Sequence, residues 1–367
     1  MIKDKRLRNH MRKLLTTRER FCNTLDNLTG LLTLPVRSRD LTRLTEEVEE
    51  LKRRRNALRG EVWAMRGFVP PGFRARSIRK RDKQDPVEEA AGLVASVRAD
   101  LRRASRAIST IELVCEAPRT PVYLELDRAD PRSSQIGVLD RAYDVLHMSS
   151  RSGDQDQTAI AAGAHADIPL AASLFLAHVH VAWRVLAALG RTERASFLDV
   201  GSGAGSKVVL AAQVFAQADG LELDPGYAAA SRELLSSRYT SNTATIEGNA
   251  LEFDGYHRYD LIYFFLPIRD RDAMHALETK IITDARPGTV FIAPYAGFLE
   301  RAEPQGVSKI AGNVSINATS AGEAALLLDE ARLIGPLLPG PDGLVPSSRD
   351  GLLAPTLHAL RLIGFAT

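Results

Sequence analysis

Cysteine is nearly absent: Cys22 and Cys115 are the only two in 367 residues. So few exclude a disulfide framework and a four-cysteine metal site, and they fit a reducing, cytoplasmic compartment. Long apolar runs are missing too. The most apolar stretch, Ile168 to Trp183, carries His178 and His180 and falls short of a bilayer span. It reads as a buried helix, and no membrane partner is expected. Residues 1–13, MIKDKRLRNHMRK, contain no apolar core of the kind a signal peptide needs. There is no His-Glu-x-x-His, no Cys-x-x-Cys and no Gly-x-Ser-x-Gly elbow. His178 and His180 are two apart, hence on different helix faces, so no metal site is expected.

The chain is 45% hydrophobic and 25% charged, the balance of an ordinary globular protein long enough for two or three domains. A net charge of +3 conceals a division. Residues 1–110 hold 27 Lys and Arg against 14 Asp and Glu, a balance of +13; the other 257 residues hold 21 against 31, a balance of −10. That is the composition of a basic arm joined to an acidic globular part.

Two apolar heptad runs occupy the arm. Leu7, Met11, Leu14, Arg18, Phe21, Leu25, Leu28 and Leu32 alternate spacings of four and three before Pro35. A second run follows Asp40, a suitable N-cap: Leu41, Leu44, Val48, Leu51, Arg55, Leu58, Val62 and Met65. Such stripes are coiled-coil seams. They leave two pairings open, a hairpin within one chain or a homo-oligomer through residues 7–65. A basic link, Phe73 to Lys83, separates them from a third helical stretch, Glu88 to Val114. Lys52 to Arg55 and Arg74 to Lys83 could neutralise phosphates. Aromatics that could stack on bases are few here, namely Phe21, Trp63, Phe68 and Phe73, and Glu46, Glu47, Glu49 and Glu50 compensate nearby charge. Oligomerisation or substrate docking is therefore the first reading of the arm, with nucleic-acid binding behind it.

From residue 195 strand and helix signals alternate, the pattern of a doubly wound α/β sheet. Strands are expected at Ser196–Val200, Asp219–Glu222, Thr243–Glu247, Tyr259–Phe265 and Thr289–Ala293, with helices at Ser206–Ala216, Pro225–Ser236 and Asp270–Thr283. The turn after the first strand reads Gly201-Ser-Gly-Ala-Gly205. A Walker loop needs Gly at 206 and Ser or Thr at 208, where Ser206 and Val208 stand; the dinucleotide fingerprint also wants its third Gly at 206. Asp199, Gly201, Gly203 and Gly205 form Asp-x-Gly-x-Gly-x-Gly instead.

This turn, between Phe197-Leu-Asp-Val and Ser-Lys-Val-Val-Leu210, resembles the first motif of class I S-adenosylmethionine-dependent methyltransferases. The resemblance covers about residues 185–295 and implies a Rossmann-like methyltransferase sheet with S-adenosyl-L-methionine as cofactor. Its donor is a sulfonium cation with an amino-acid end and no phosphate. Glycines let backbone approach it closely, and acids suit its positive charge. The resemblance puts Asp199, Gly201, Ser202, Gly203 and Gly205 at the methionine end, Glu222 on the ribose hydroxyls, Leu223 against the adenine ring, and Asn249 on the adenine edge, with Ala250 next to it among the cofactor-binding residues. Phe265, ending the fourth strand, is also expected among the cofactor-binding residues.

The fourth strand ends Phe264-Phe-Leu-Pro-Ile-Arg-Asp270. The amino-methylating nucleic-acid enzymes of the class have Asn/Asp-Pro-Pro-aromatic there, whose polar residue holds the target amine; Phe-Leu-Pro lacks it. Cytosine-C5 methylation needs a cysteine at this strand end, and both cysteines lie before residue 120. The turn also resembles that of the non-SET histone-lysine methyltransferases, without their Asn-rich strand end. A protein or small-molecule acceptor is thus favoured over nucleic acid. Asp270 and Tyr295 are candidate general bases and Arg269 a candidate anion clamp, although Asp270 suits a helix N-cap equally well. The other reading is a non-catalytic scaffold for nucleic acid or a partner, with a degenerate Rossmann-like domain.

The expected division is a helical, coiled-coil-like arm over 1–110, a connecting segment over 111–184 with the helix Ile168–Leu189 and a candidate lid at Ser149–His165, the methyltransferase domain over 185–320, and a C-terminal extension over 321–367. In the extension a helix is expected from Gly322 to about Leu333, and His358–Phe365 as an edge strand.

Overall fold

The computed structural model describes residues 2–69, 85–123, 132–150, 155–168, 170–237, 241–340 and 347–366. The basic link 73–83 lies outside them. The chain forms two compact units, Met1–Pro118 with Val345–Thr367, and Arg119–Leu344.

The first unit is helical. Helix α1 (Ile2–Leu32) buries Leu7, Met11, Leu14, Phe21, Leu25, Leu28 and Leu32, the expected stripe. Asp40 caps α2 (Leu41–Ala64) by accepting from the Arg43 backbone N–H, and Leu44, Val48, Leu51, Leu58 and Val62 face inward. Asp85 caps α3 (Pro86–Cys115), whose Ala90, Ala91, Ala104 and Ala107 allow close helix approach. The three helices pack on one another. Of the two pairings left open by the heptads, the hairpin within the chain is the one observed. A third helix, α3, packs on this hairpin. Arg18 sits at a core position because its guanidinium meets Asp100 Oδ2 of α3 at 3.0 Å, where the carboxylate is 5% exposed.

The chain end corrects the sequence reading. His358–Phe365 is not an edge strand: helix α12 (Ala354–Leu362) joins the first unit, with Thr356 Oγ1 2.9 Å from Thr29 Oγ1 and Leu357 and Leu360 buried. The divisions expected at 110 and 320 give way accordingly. Residues 111–118 and the last helix belong with the arm, while residues 321–344 belong with the sheet.

The second unit holds α4 (Arg132–Ser150), α5 (Gln157–Ala161) and α6 (Ala172–Ala188), then a seven-stranded sheet. Its elements are β1 (Ser196–Val200), α7 (Ser206–Ala211), β2 (Gln217–Glu222), α8 (Pro225–Ser237), β3 (Thr243–Glu247), β4 (Leu261–Phe264), α9 (Arg271–Asp284), β5 (Val290–Ile292), α10 (Phe298–Ala302), β6 (Ser308–Ala311), β7 (Val314–Ile316) and α11 (Ala321–Ala331). All five expected strands form. The sheet order is β3-β2-β1-β4-β5-β7-β6, with β1 to β5 parallel and β7 antiparallel to β5. Chain order reverses direction between β1 and β4, which places a crevice at the carboxyl ends of these strands. The β6–β7 hairpin adds to the expected strands; its Gly312-Asn313 turn is a hairpin signal.

Strand alternation sorts the core. Leu198, Val200, Ile262, Phe264 and Phe291 belong to one cluster. On the opposite face, Phe197 and Tyr263 receive the edge of Phe175 from α6 at 6.0 and 5.2 Å between centroids. Asp199 shares that second face by the same alternation. Arg184 of α6 is buried and donates to the carbonyls of Pro121 and Ile334, each at 2.8 Å, pinning both ends of the unit's periphery to the helix. Among the described residues no helix is long and apolar enough to cross a membrane.

Candidate functional site

The crevice at the reversal point is built on the glycine turn. Gly201, Gly203 and Gly205 all have positive φ (75°, 55° and 81°), a region that L side chains rarely enter. Space repeats the demand at Gly203, where a Cβ would collide with the carboxylate of Asp167. Every backbone N–H of the turn is engaged. Gly201 and Ser202 donate to the Leu221 carbonyl at 2.8 and 3.1 Å, and Gly205 to the Ser202 carbonyl at 3.0 Å. Gly203 donates to Glu222 Oε2 at 2.7 Å, and Ala204 to Asp167 Oδ2 at 3.0 Å.

Three carboxylates surround the turn. Asp199 is fully buried and neither oxygen has a hydrogen-bond partner. Burial pushes it up to about 7, with the Asp167 and Glu222 charges adding and Lys207 opposing. Glu222 ends β2; burial likewise raises it to about 7, against the N–H groups of Asp224 and Gly203 that favour its charged form. Asp167 comes from the segment before α6, outside every motif that the sequence displays. Beside it, Tyr143 Oη of α4 lies 2.8 Å from Ser206 Oγ, and His147 Nδ1 lies 3.9 Å from Asp167 Oδ2.

Of the residues expected on the cofactor, Gly201, Gly203, Glu222, Leu223, Asn249, Ala250 and Phe265 line the cleft. Asp199 is fully buried and is not among the wall residues. Ser202 turns inward toward Gly220, and Gly205 packs on Ser231 of α8, so neither is in the wall. Asn249 spends its amide locally: its Oδ1 accepts from the Leu251 N–H and its Nδ2 donates to Glu252, both at 3.0 Å. Sequence reading missed Asp167, His165, Lys207, Tyr227 and Tyr263, which also line the cleft. The hydroxyls of Tyr227 and Tyr263 are buried without partners, and Lys207 Nζ stands 5.8 Å from the Tyr263 ring centroid.

Segment 155–168 roofs the cleft. Ala164 bridges Ile268; the His165 N–H donates to the Pro267 carbonyl at 3.0 Å and that of Arg269 to the Gly163 carbonyl at 2.7 Å. Part of the candidate lid, 151–154, lies outside the described residues. The roof meets the end of β4, where Leu266 holds φ 47°, an uncommon conformation for a bulky residue.

None of the three catalytic candidates lines the cleft. Asp270 caps α9, accepting from the Ala273 N–H at 2.8 Å. Tyr295 Oη donates to Glu278 at 2.9 Å, and burial beside that carboxylate pushes its own ionisation far up. The Arg269 side chain is exposed. A cap, a core hydrogen bond and a solvated charge account for them.

No protein-family model matches this sequence, and no curated protein does. Solved structures are similar over about a third of the chain. An amino pentose methyltransferase of Micromonospora echinaspora, bound to its methyl donor, is 26% identical over 37% of this chain and 61% of its own, at a TM-score of 0.28. An RNA methyltransferase of Salinibacter ruber in complex with S-adenosyl-L-homocysteine is 20% identical over 34% and 76%, also at 0.28. A precorrin methyltransferase of Geobacter metallireducens is 18% identical over 35% and 71%, at 0.29. This chain thus spans less than two thirds of the first of these enzymes. The order of the seven strands is that of Rossmann-like class I methyltransferases.

Proposed function

We propose that the chain is an S-adenosyl-L-methionine-dependent methyltransferase. The observation that carries the reading is Asp199: a fully buried carboxylate with two unpartnered oxygens under a glycine turn is a site for a cation. The turn also has no free N–H for a phosphate, and the acids Asp199, Asp167 and Glu222 outnumber Lys207 around it. A dinucleotide pyrophosphate would be repelled here.

When bound, the donor supplies an electrophilic methyl group on sulfur. Asp199 and Asp167 would hold its ammonium end, Glu222 and the Tyr227 hydroxyl its ribose hydroxyls, and Leu223, Ala250 and Phe265 its adenine. Transfer by in-line displacement then depends on alignment and on keeping water out, a task suited to the roof and to Phe265, Leu266 and Pro267. Burial and the charge of Arg269 lower the basicity of His165 in that roof, leaving a neutral imidazole able to take a proton from an acceptor. The apolar β4 end offers no polar side chain for a base amine, which favours a protein or small-molecule acceptor.

Calorimetric titration with S-adenosyl-L-methionine, S-adenosyl-L-homocysteine and NADH tests the reading. The two sulfur compounds should bind the intact protein, and Glu222→Ala should abolish their binding. Binding of NADH alone would overturn it.

A further inference from the structure

The basic unit carries a surface that methyl transfer leaves unused. Two contacts set α2 against α3: Lys52 Nζ meets Glu112 Oε1 at 2.6 Å, and Arg59 Nη2 reaches Ser105 Oγ at 3.4 Å. The helices therefore run antiparallel, and the same register sets Val62 opposite Arg102; Arg66 follows the end of α2 in a 3-10 turn, Met65–Gly67. Charge along this pair is divided. At one end, Lys52, Arg53 and Arg54 are neutralised by Glu49, Glu50 and Glu112. At the other, a groove is walled by Arg59, Val62, Arg98, Leu101, Arg102 and Ser105, with no acid among them.

Arg59, Arg66, Arg98 and Arg102 form no ion pair among the described residues, in contrast to the paired end of the groove. Glu50 precedes Arg59 by nine residues, about 13 Å along a helix and beyond the ~8 Å over which exposed charges are felt in physiological salt. Glu61 is two residues from Arg59 and from Trp63 and so points elsewhere. Trp63 is 68% exposed. It follows Arg59 by four residues, which makes the two neighbours on the surface of α2, and the exposed Arg66 lies three residues on, in the 3-10 turn Met65–Gly67. An indole left in water between unpaired arginines suits a ligand that offers planar faces and negative charges together.

We propose that this α2–α3 groove binds single-stranded nucleic acid, with Trp63 stacked on a base and Arg59, Arg66, Arg98 and Arg102 on phosphates. A single strand is specified because a base must be unstacked before an aromatic side chain can take its face. Acidic proteins would answer the arginines but not the indole; an anionic membrane answers both, and the vesicle titration below separates it from a single strand. The groove lies wholly in the first unit, so the inference stands apart from the methyl-transfer reading.

The test titrates the full-length protein with labelled single strands of about 12 nucleotides, RNA and DNA, and with a duplex, phosphatidylserine vesicles and polyglutamate. Anisotropy and tryptophan emission are followed together. Emission reports on Trp63, because the other tryptophan, Trp183, is fully buried in the second unit. Saturable binding of a single strand is expected, with quenching and a log–log salt slope of about −3 for four phosphate contacts. Trp63→Ala should weaken binding about tenfold. Arg98→Ser with Arg102→Ser should bring the slope to about −1.5. Arg53→Ala, at the neutralised end, should change neither. Unchanged thermal midpoints confirm that substitutions at the exposed Arg53, Trp63 and Arg102 and the half-buried Arg98 leave the fold intact. No binding, unquenched binding, unaltered binding by the Trp63 and Arg variants, or equal retention of duplex, vesicles or polyglutamate would each overturn the proposal.

Discussion

Asp199 and Glu222 make a pH signature for the cleft. Both are raised from ordinary carboxylate values to about 7, chiefly by burial. The folded state then binds more protons than the unfolded one between about pH 4 and 7, so stability falls as pH rises through that window. Every tenfold gain in a carboxylate's proton affinity on folding corresponds to about 1.4 kcal/mol. Urea midpoints at pH 5 and 7.5 should show this fall, and Asp199→Asn should flatten it. Donor affinity should run the other way. A cation needs the ionised carboxylate, so binding should strengthen from pH 6 to 8 in the wild type and not in Asp199→Asn. Asp199 and Glu222 are readable in the sequence because Asp199 stands one residue before the end of its strand and the glycine turn, and Glu222 ends the next strand. Asp167 is not: 36 residues before Gly203, it meets the turn only through the roof's pairing with the end of β4.

Among the elements, the heptads of α1 and α2 are legible down to single residues, since a helical stripe is fixed by local spacing. Their arginines are not. Arg18 looks like a flaw in a seam until α3 brings Asp100 to it. Arg18→Met should therefore destabilise the protein by about 2 kcal/mol, less than for a fully buried pair because Arg18 is 30% exposed. Adding Asp100→Leu should recover most of that loss. Chemical denaturation of the two single variants and the double variant measures it. The strand assigned to His358–Phe365 fails for the complementary reason. A short apolar run fits either period, and it becomes a helix because α1 and α3 offer it a helical groove.

Over the whole molecule, the charge division at residue 110 anticipates two units without locating their boundary. The chain end returns to the arm, so the second unit is Arg119–Leu344. A fragment of residues 119–344 should bind S-adenosyl-L-methionine within about threefold of the intact protein, whereas removal of residues 345–367 alone should lower the thermal midpoint by uncovering the partners of Leu357 and Leu360 in the arm. Calorimetry and scanning of the two truncations separate these effects. By itself the sequence determined the periodic elements, the five parallel strands, the glycine turn with its strand-end acids, and the imbalance of charge. These depend on neighbours a few residues apart. Tertiary structure alone decided that the two heptad helices pack on each other, that Asp167 roofs the turn, that Asp270 and Tyr295 are committed elsewhere, and that Arg59, Arg98 and Arg102 stand without an ion pair on one groove. Each of those depends on residues tens to hundreds of positions apart, whose meeting is set by packing and register.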